Sequence, residues 1–329
     1  MAMAATLLDV KDLRTYFYTE AGVVKAVDGI SFSLETESCH GLVGESGSGK
    51  TVTALSVLRV VPVPGRVAGG KITFEGTSLL DLPEQEMSKI RGAKIAVVFQ
   101  DPTSSLNPVY TVGEQITEII TYHQGLEKTE ALGKTIDLLE TVGISEPETR
   151  ANQYPHQLSG GMKQRIAIAR ALACEPHLLF ADEPTTNLDV TIQAQVLELM
   201  KELRRKLGMS LVMITHDMGI VADMTQRVTV LYAGMVAESA DTRTIYREPK
   251  HPYTEALLQA VPRIDQKKEL RVIPGNIPNL IDPPLGCRFH PRCPHAEDIC
   301  SKVVPLLEEV DQGHSVACHR WRELTLGGI

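Results

Sequence analysis

The sequence predicts an α/β fold built around a buried parallel sheet, and three observations lead to that prediction. Continuous apolar runs occur at residues 39–43, 95–99, 177–181 and 211–215. Runs of this length are typical of strands that are buried on both faces. Longer amphipathic segments alternate with the runs, and a glycine-rich segment follows the first of them. Such alternation favours parallel pairing, because each crossover needs a connection about as long as a helix.

Two amphipathic segments have clear helix ends. Residues 162–175 and 192–207 predict helices that stop before Pro176 and Gly208. Proline and glycine are common just after the last helical residue. We therefore expect both segments to be connections between strands of the sheet.

Residues 101–175 differ from the rest of the sheet-forming sequence. The stretches 112–122 and 129–142 are helix-like, and no convincing strand occurs between Gln100 and Glu175. This pattern predicts a helical subdomain inserted at about residues 101–175. Residues 222–240 return to short strands, with a turn at Gly234.

The C-terminal part of the chain is rich in proline and has no strong periodicity from about residue 263. We predict a main domain over residues 1–262 and a loop-rich extension over residues 263–329. An extension with so few apolar residues can bury little core of its own, so a metal staple is a plausible support.

Composition excludes some classes of function. The 329 residues carry a net charge of −8, with a pI of about 5.7. A nucleic-acid-binding domain usually has a basic surface, so we expect no nucleic-acid partner. The first residues lack the pattern of a signal peptide, and no run approaches the ~18 apolar residues of a membrane span. We expect a soluble protein that reaches a membrane only through partners.

The glycine-rich segment GESGSGKT matches the P-loop pattern GxxxxGK followed by Ser or Thr. In this pattern backbone N–H groups surround phosphates, the lysine reaches the β- and γ-phosphates, and the last hydroxyl binds Mg²⁺. The alternative is a flexible glycine loop without a ligand. The expected nucleotide-binding residues are Gly44, Glu45, Ser46, Gly47, Ser48, Gly49, Lys50 and Thr51.

Polar side chains follow the other apolar runs: Gln100, the pair Asp182 and Glu183, and His216. Ligands of parallel sheets gather at the carboxyl ends of the strands. Asp182 is expected to hold Mg²⁺ and Glu183 to orient or deprotonate the attacking water. Gln100 can contact metal or water, and His216 can bind the γ-phosphate or the water. The alternatives are an acidic pair at a helix N-terminus near Pro184 and an ordinary histidine hydrogen bond.

A second candidate anion site lies in LSGGMKQR at residues 158–165. Ser159 is a good N-cap, and Gly160 and Gly161 leave backbone N–H groups accessible to an anion. A serine-glycine turn before a helix is common, so this motif alone would be a weak signal.

Taken together, the motifs resemble those of ATP-binding cassette (ABC) ATPases. GESGSGKT, Gln100 (the Q-loop), LSGGM (the signature), LLFADE, TNLD at 186–189 (the D-loop) and His216 occur in the family's order and approximate spacing. The resemblance implies a P-loop fold with a parallel-sheet core, a small antiparallel β part, an inserted helical subdomain and a cysteine-containing C-terminal extension. It also implies that two cassettes pair head to tail. Ser159, Gly160, Gly161, Met162 and the D-loop residue Asp189 would then contact ATP bound by the partner.

The resemblance further implies an aromatic side chain that stacks on adenine. Phe17 lies at about the right distance before the P-loop, with Tyr16 and Tyr18 as neighbouring candidates. The chain departs from the family pattern at Met162, where glutamine is commoner, and at Asn187, where alanine is frequent. Neither change removes a phosphate ligand, so we expect a catalytically competent ATPase.

Two further segments narrow the resemblance to peptide and nickel importers, and most closely to dipeptide and oligopeptide permeases. They are QDPTSSLNP at 100–108 and HPYTEALLQAVP at 251–262. The expected partners are a second cassette, by family habit a paralogue, and two permease subunits docked through the helical insert. A substrate-binding protein outside the cell would act indirectly. This places the chain at the cytoplasmic face of the membrane. The alternatives are nickel import, a soluble ABC ATPase without transport, and a subunit that senses nucleotide without hydrolysing it.

Four of the six cysteines, Cys287, Cys293, Cys300 and Cys318, lie in the extension. Four thiolates suit zinc or an iron–sulfur cluster, and the absence of a CxxC pair weakens the zinc reading. The resemblance implies a 4Fe–4S cluster; zinc and unliganded thiols remain alternatives. A mixed site is also possible, because histidines lie nearby at positions 290, 295, 314 and 319. Cys39 and Cys174 are expected in the core.

Overall fold

The computed structural model describes residues 5–261 and 273–329. The predicted boundary between residues 262 and 263 therefore falls outside the described residues, and it stays a prediction. The strands are β1 Thr6–Thr19, β2 Gly22–Glu35, β3 Cys39–Val43, β4 Gly65–Phe74, β5 Thr77–Ser78, β6 Ile95–Val98, β7 Leu178–Asp182, β8 Ser210–Thr215, β9 Arg227–Tyr232, β10 Met235–Asp241, β11 Glu308–Asp311 and β12 His314–Val316. The helices are α1 Lys50–Val57, α2 Glu84–Ile90, α3 Pro102–Ser105, α4 Val112–Gln124, α5 Lys128–Thr141, α6 Pro147–Ala151, α7 Gly160–Leu172, α8 Val190–Leu207, α9 Met218–Met224, α10 Thr242–Arg247 and α11 Pro252–Gln259.

The chain divides into two compact units. The first consists of Met1–Asp81 and Met213–Ile329, and the second of Leu82–Val212. In the part of the chain that the structure describes, no helix is long and apolar enough to cross a membrane.

The first unit contains a small antiparallel sheet of strand order β2-β1-β4-β5. In β1, Leu8 and Val10 are buried, and a register shift between Val10 and Leu13 keeps Leu13 and Thr15 buried as well. Without that shift, the period-two alternation of side chains would turn the second half of the strand outward. This sheet is the antiparallel part that the family resemblance implied.

The strand that precedes the P-loop is central to the first unit. β3 is buried at every residue, and it pairs in parallel with β9 from His40 with Arg227 to Val43 with Val230. β9 pairs antiparallel with β10, β10 with β12, and β12 with β11. The last two strands come from the extension, so a hairpin of the extension continues a sheet of the main domain. No pattern in the sequence predicted this hairpin.

The extension also contributes to the core of the first unit, which corrects the expectation that it could bury little. Phe289 is 2% exposed, and its ring centroid lies 5.1 Å from that of Tyr232 and 5.3 Å from that of Tyr253. A buried aromatic side chain supplies more apolar contact area than most residues. Core packing therefore supports the extension, whether or not a metal does.

The second unit contains the parallel pair β6 and β7, with Ile95 opposite Leu178 and Val98 opposite Ala181. Helices α3 to α7 all lie within the predicted insert, residues 101–175. Thr111 and Glu114 form a capping box that starts α4, and such a box satisfies two backbone donors at once. The bounds of the insert as a subdomain stay a prediction.

Candidate nucleotide-binding site

The P-loop joins the end of β3 to the start of α1, as the sequence predicted. A Cβ at Gly44, where φ is 154°, would lie 2.1 Å from the carbonyl oxygen of Leu231. A Cβ at Gly49, where φ is 102°, would lie 2.5 Å from the carbonyl oxygen of Ala26. Both positions therefore require glycine for conformation and for space. Of the remaining predicted residues, Ser48 is buried, and Ser46, Gly47 and Thr51 are exposed.

Lys50 is held inside the loop. Its side chain donates to the carbonyl oxygens of Gly44 at 2.7 Å and Glu45 at 2.9 Å. The N-cap of α1 is Gly49, which offers no side-chain acceptor to the first turn. An uncapped helix N-terminus carries partial positive charge, and it suits an anion. Loop, lysine and helix together are able to hold phosphates.

Glu45 is fixed by two residues that the sequence analysis did not find. Its backbone N–H donates to the hydroxyl of Tyr253 at 2.8 Å. Its carboxylate accepts two hydrogen bonds from the guanidinium of Arg292, at 2.7 and 3.0 Å. These partners lie more than 200 positions along the chain, and no local signal links them to the loop.

In the second unit, the predicted catalytic carboxylate contacts the predicted Q-loop residue. The side-chain amide of Gln100 donates to Glu183 at 2.8 Å, and the hydroxyl of Thr186 donates to the same oxygen at 3.0 Å. Glu183 has a φ of 45°, which is uncommon for a residue other than glycine and recurs at functional sites. Asp182 ends β7 and is 5% exposed. The next helix begins only at Val190, so the acidic pair does not cap a helix near Pro184, as the alternative proposed.

Two further predicted residues, His216 and Phe17, belong to the first unit. His216 is exposed and follows β8 directly. Phe17 lies half-buried over Gly65, where a Cβ would stand 2.6 Å from the ring. Of its neighbours, Tyr16 donates its hydroxyl to Asp28 at 2.6 Å, and Tyr18 lies under the guanidinium of Arg66 at 4.2 Å. Tyr16 and Tyr18 are thus each held by a polar or charged side chain. The stacking of Phe17 on adenine stays a prediction.

The signature residues form the start of α7. Ser159 is its N-cap, and the Ser159 hydroxyl accepts from the N–H of Met162 at 3.3 Å. Ser159 and Gly160 are exposed, whereas a Cβ at Gly161 would come within 3.0 Å of Ile192. Asp189 caps α8 in the same way, accepting from Ile192 at 3.0 Å. The contacts predicted with a partner's ATP are not tested by these local contacts.

All four cysteines of the extension line one small cavity. They are free thiols, and burial raises the pKa of Cys287 to about 11 and that of Cys318 to about 12. His290, His295 and His319 also line the cavity, whereas His314 pairs with the buried Glu238 at 2.8 Å. Among residues 5–261 and 273–329, no group of three or more His, Cys, Asp or Glu side chains is arranged to hold a metal ion.

The other two cysteines have no common site. Cys39 is buried, as expected. Cys174 is only partly buried, and its sulfur lies 3.9 Å from the carbonyl oxygen of Ile119. The expectation of a core position was therefore wrong for Cys174, which follows the last turn of α7.

Comparisons with known families agree with the motifs. A family model described as "ABC transporter" matches residues 27–186. A second, described as "Oligopeptide/dipeptide transporter, C-terminal region", matches residues 237–300. The second match includes three of the four cysteines of the extension.

Individual proteins are similar over nearly the whole chain. The "probable peptide ABC transporter ATP-binding protein" y4tR of Sinorhizobium fredii is 48% identical, and the match covers 98% of this chain and 97% of that protein. The dipeptide transport ATP-binding protein DppD of Escherichia coli is 49% identical, with 95% and 96% covered. Because the matches span both proteins, the extension is part of the likeness.

Solved structures share the cassette fold. A dimeric structure of the ATP-binding cassette MJ0796, in a post-hydrolysis state bound to ADP and Pi, is 27% identical with a TM-score of 0.65; the match covers 72% of this chain and 99% of that one. The structure of cbiO1 from Clostridium perfringens, part of the ABC transporter complex cbiONQ, is 26% identical with a TM-score of 0.63, over 73% and 90% of the two chains.

Proposed function

We propose that this chain, which belongs to the ABC transporter family of ATP-binding proteins, powers the import of dipeptides or oligopeptides. As a member of that family it is an ATPase. One observation carries the proposed substrate class. Similarity to peptide transport ATP-binding proteins extends over 95–98% of the chain, including the extension that follows the cassette.

Within this function, residues 44–51 are proposed to hold the phosphates of ATP. Lys50 now donates to two loop carbonyls, and its ammonium would turn to the β- and γ-phosphates when they enter. Thr51, Gln100 and Asp182 offer hydroxyl, amide and carboxylate oxygens, which are the ligands that Mg²⁺ prefers. Mg²⁺ bound there would neutralise charge on the phosphates. Phe17 is the proposed partner of the adenine ring.

Glu183 is the proposed general base. It would accept the proton of a water molecule whose oxygen attacks the γ-phosphorus, while the bond to the β-phosphate oxygen breaks and ADP leaves. The hydrogen bond from Gln100 keeps the carboxylate in place. His216, exposed at the end of β8, would donate a hydrogen bond to the γ-phosphate or hold the water.

A second cassette is the proposed partner for catalysis. Ser159 and Gly160 are exposed at the start of α7, and together with Gly161, Met162 and Asp189 they would contact ATP bound to the partner's P-loop. The dimeric form of the similar cassette MJ0796 supports this arrangement. We propose a paralogous cassette, two membrane permease subunits and an extracytoplasmic substrate-binding protein as the assembly, with this chain at the cytoplasmic face.

A 4Fe–4S cluster is the proposed occupant of the cysteine cavity. Four thiols around one cavity suit such a cluster. The four cysteines contain no CxxC pair, which favours the cluster over a single zinc ion. Anaerobic purification with iron and sulfide analysis tests this, and zinc without iron would overturn it.

Reconstituted uptake tests the substrate class. The complete transporter is placed in vesicles with ATP inside, and uptake of a labelled dipeptide, a labelled tetrapeptide and nickel is compared. We expect ATP-dependent peptide uptake that the Lys50→Ala variant abolishes. Nickel uptake without peptide uptake would move the chain to the nickel importers. ATPase activity without any membrane partner that co-purifies would favour an ATPase not coupled to transport.

A further inference from the structure

We propose that Arg292, together with Tyr253, is a positioning residue for ATP binding: it holds the P-loop in shape by fixing Glu45. The proposal rests on the assignment of residues 44–51 to the phosphates of ATP. It adds two residues that the phosphate-binding motif does not contain, one of them in the cysteine-bearing extension.

The contacts on Glu45 come from two directions. Arg292 makes a two-pronged ion pair with the carboxylate, and such paired hydrogen bonds fix orientation as well as position. The hydroxyl of Tyr253 accepts from the backbone N–H of Glu45. Main chain and side chain of one loop residue are thus both held by groups outside the loop.

Arg292 itself is firmly held. Its side chain is 5% exposed, its Nε donates to the carbonyl oxygen of Pro274 at 2.8 Å, and one terminal nitrogen lies 3.2 Å from the hydroxyl of Tyr232. Its guanidinium carries a positive charge, because arginine is not deprotonated in proteins. A buried cation with these partners stabilises one position of the Glu45 carboxylate.

The residue that Arg292 and Tyr253 hold, Glu45, also contacts Lys50, the lysine proposed to bind the phosphates. The carbonyl oxygen of Glu45 accepts from Lys50 at 2.9 Å and from the N–H of Ser48 at 3.2 Å. A shift of Glu45 would therefore displace an acceptor of Lys50 and one turn of the loop. Without Arg292, a partly buried carboxylate would also stand unpaired in the loop that receives a triphosphate, and like charges repel.

These contacts predict a defect in binding more than in turnover. Arg292 touches Glu45 but none of the proposed catalytic groups. Its loss should weaken ATP binding and raise KM, while kcat stays nearly unchanged once the site is filled. A general loss of folding would instead lower the active fraction and leave KM as it was.

The test is a double-mutant cycle on the full chain, with equilibrium binding of a fluorescent ATP analogue and thermal unfolding measured for each variant. Arg292→Met is expected to weaken binding about tenfold. Glu45→Gln alone loses the same two-pronged ion pair and should also weaken binding, and the double variant should bind no more weakly than Arg292→Met alone, because the contact is already broken there. Arg292→Lys keeps the charge but loses the planar fork, and its affinity should fall between those of Arg292→Met and wild type. In the assembled transporter, the KM for MgATP should follow the same order.

Arg227→Met is the matched control. Arg227 also joins the sheet to the extension, because its guanidinium donates to the carbonyl oxygen of Gly313 at 2.8 Å. It pairs in addition with Asp241 of β10 at 3.4 Å. It lies at the start of β9, whereas the P-loop follows the end of the neighbouring β3. Its loss should leave nucleotide affinity unchanged.

Two results would overturn the proposal. One is an Arg292→Met variant that binds ATP as wild type does. The other is a double variant whose loss of affinity equals the sum of the losses of the two single variants, since Arg292 would then act independently of Glu45. Failure of the underlying site assignment looks different: wild type and Lys50→Ala would bind the analogue equally.

Discussion

Replacing Glu183 by glutamine removes a proton acceptor and leaves its surroundings almost intact. The carboxylate oxygen accepts from Gln100 at 2.8 Å and from Thr186 at 3.0 Å. An amide oxygen is able to accept both hydrogen bonds, so the loop and its left-handed backbone at residue 183 should persist. The variant should therefore bind ATP nearly as tightly as wild type.

The loss in turnover follows from the chemistry. General acid–base catalysis by a positioned side chain contributes about 10²–10⁴-fold, which corresponds to roughly 2.7–5.4 kcal/mol at 1.36 kcal/mol per tenfold. The two retained hydrogen bonds lose only their charge-assisted part, about 1 kcal/mol each. The barrier to hydrolysis should thus rise by roughly 2.7–5.4 kcal/mol, which exceeds the about 2 kcal/mol that the two weakened hydrogen bonds could cost together.

The assay is steady-state ATP hydrolysis by the assembled transporter, with nucleotide binding measured on the same preparation. Glu198→Gln is the control, because Glu198 is an exposed residue of α8 paired with Lys201 at 3.5 Å. We expect that control to match wild type. A Glu183→Gln transporter that hydrolyses ATP within about threefold of the wild-type rate would refute the role of this carboxylate, since the expected loss is at least about 10²-fold.

Two further predictions concern stability. Arg288→Met should lower the free energy of unfolding by about 3 kcal/mol, because it leaves Asp28 without its buried cation. Urea unfolding measures this change. Arg322 is exposed, so the Arg322→Met control should leave the free energy of unfolding nearly unchanged. Stability should also fall with acid, because burial lowers the pKa of His40 to about 3 and of His251 to about 4. The unfolded chain binds both protons near pH 6.5 and the folded chain does not, so below that pH the free energy of unfolding should drop by up to about 2.7 kcal/mol per pH unit until about pH 4. A flat pH profile between 4.5 and 6 would contradict this.

Local sequence patterns were sufficient for the elements that carry the site. The run 39–43 is β3 over the same residues, and Ser159 is the N-cap of α7. The P-loop glycines occupy positions where the backbone needs them. Each of these predictions depends only on residue types and on residues that are close together in the sequence.

Local sequence patterns could not predict ion pairs between residues that are far apart in the chain. Glu45 and Arg292 are separated by 247 positions, and Asp28 and Arg288 by 260. A single sequence contains many charges of each sign, and nothing local says which two will meet. The left-handed backbone of Glu183 was also missed, because glutamate has no preference for that conformation.

The hairpin of the extension was missed for a different reason. β11 has only four residues, most of them exposed, and three are acidic. Such a short, charged strand is typical of the edge of a sheet, where it prevents further pairing. It lacks the alternation of apolar and polar residues from which a strand is predicted. Gly313, with a φ of 73°, was the one turn signal, and a single glycine in a proline-rich tail is not distinctive.

The proposed assembly encloses ATP between the P-loop of one cassette and the signature of another. An ATP analogue with a photoreactive group on the γ-phosphate tests it directly, in a complex held closed by Glu183→Gln in this chain and the matching substitution in its partner. We predict that mass spectrometry will find the label on residues 158–165 of this chain when the partner cassette is present and its P-loop is intact. Labelling of those residues in the isolated chain, or with the partner's P-loop lysine removed, would contradict the account.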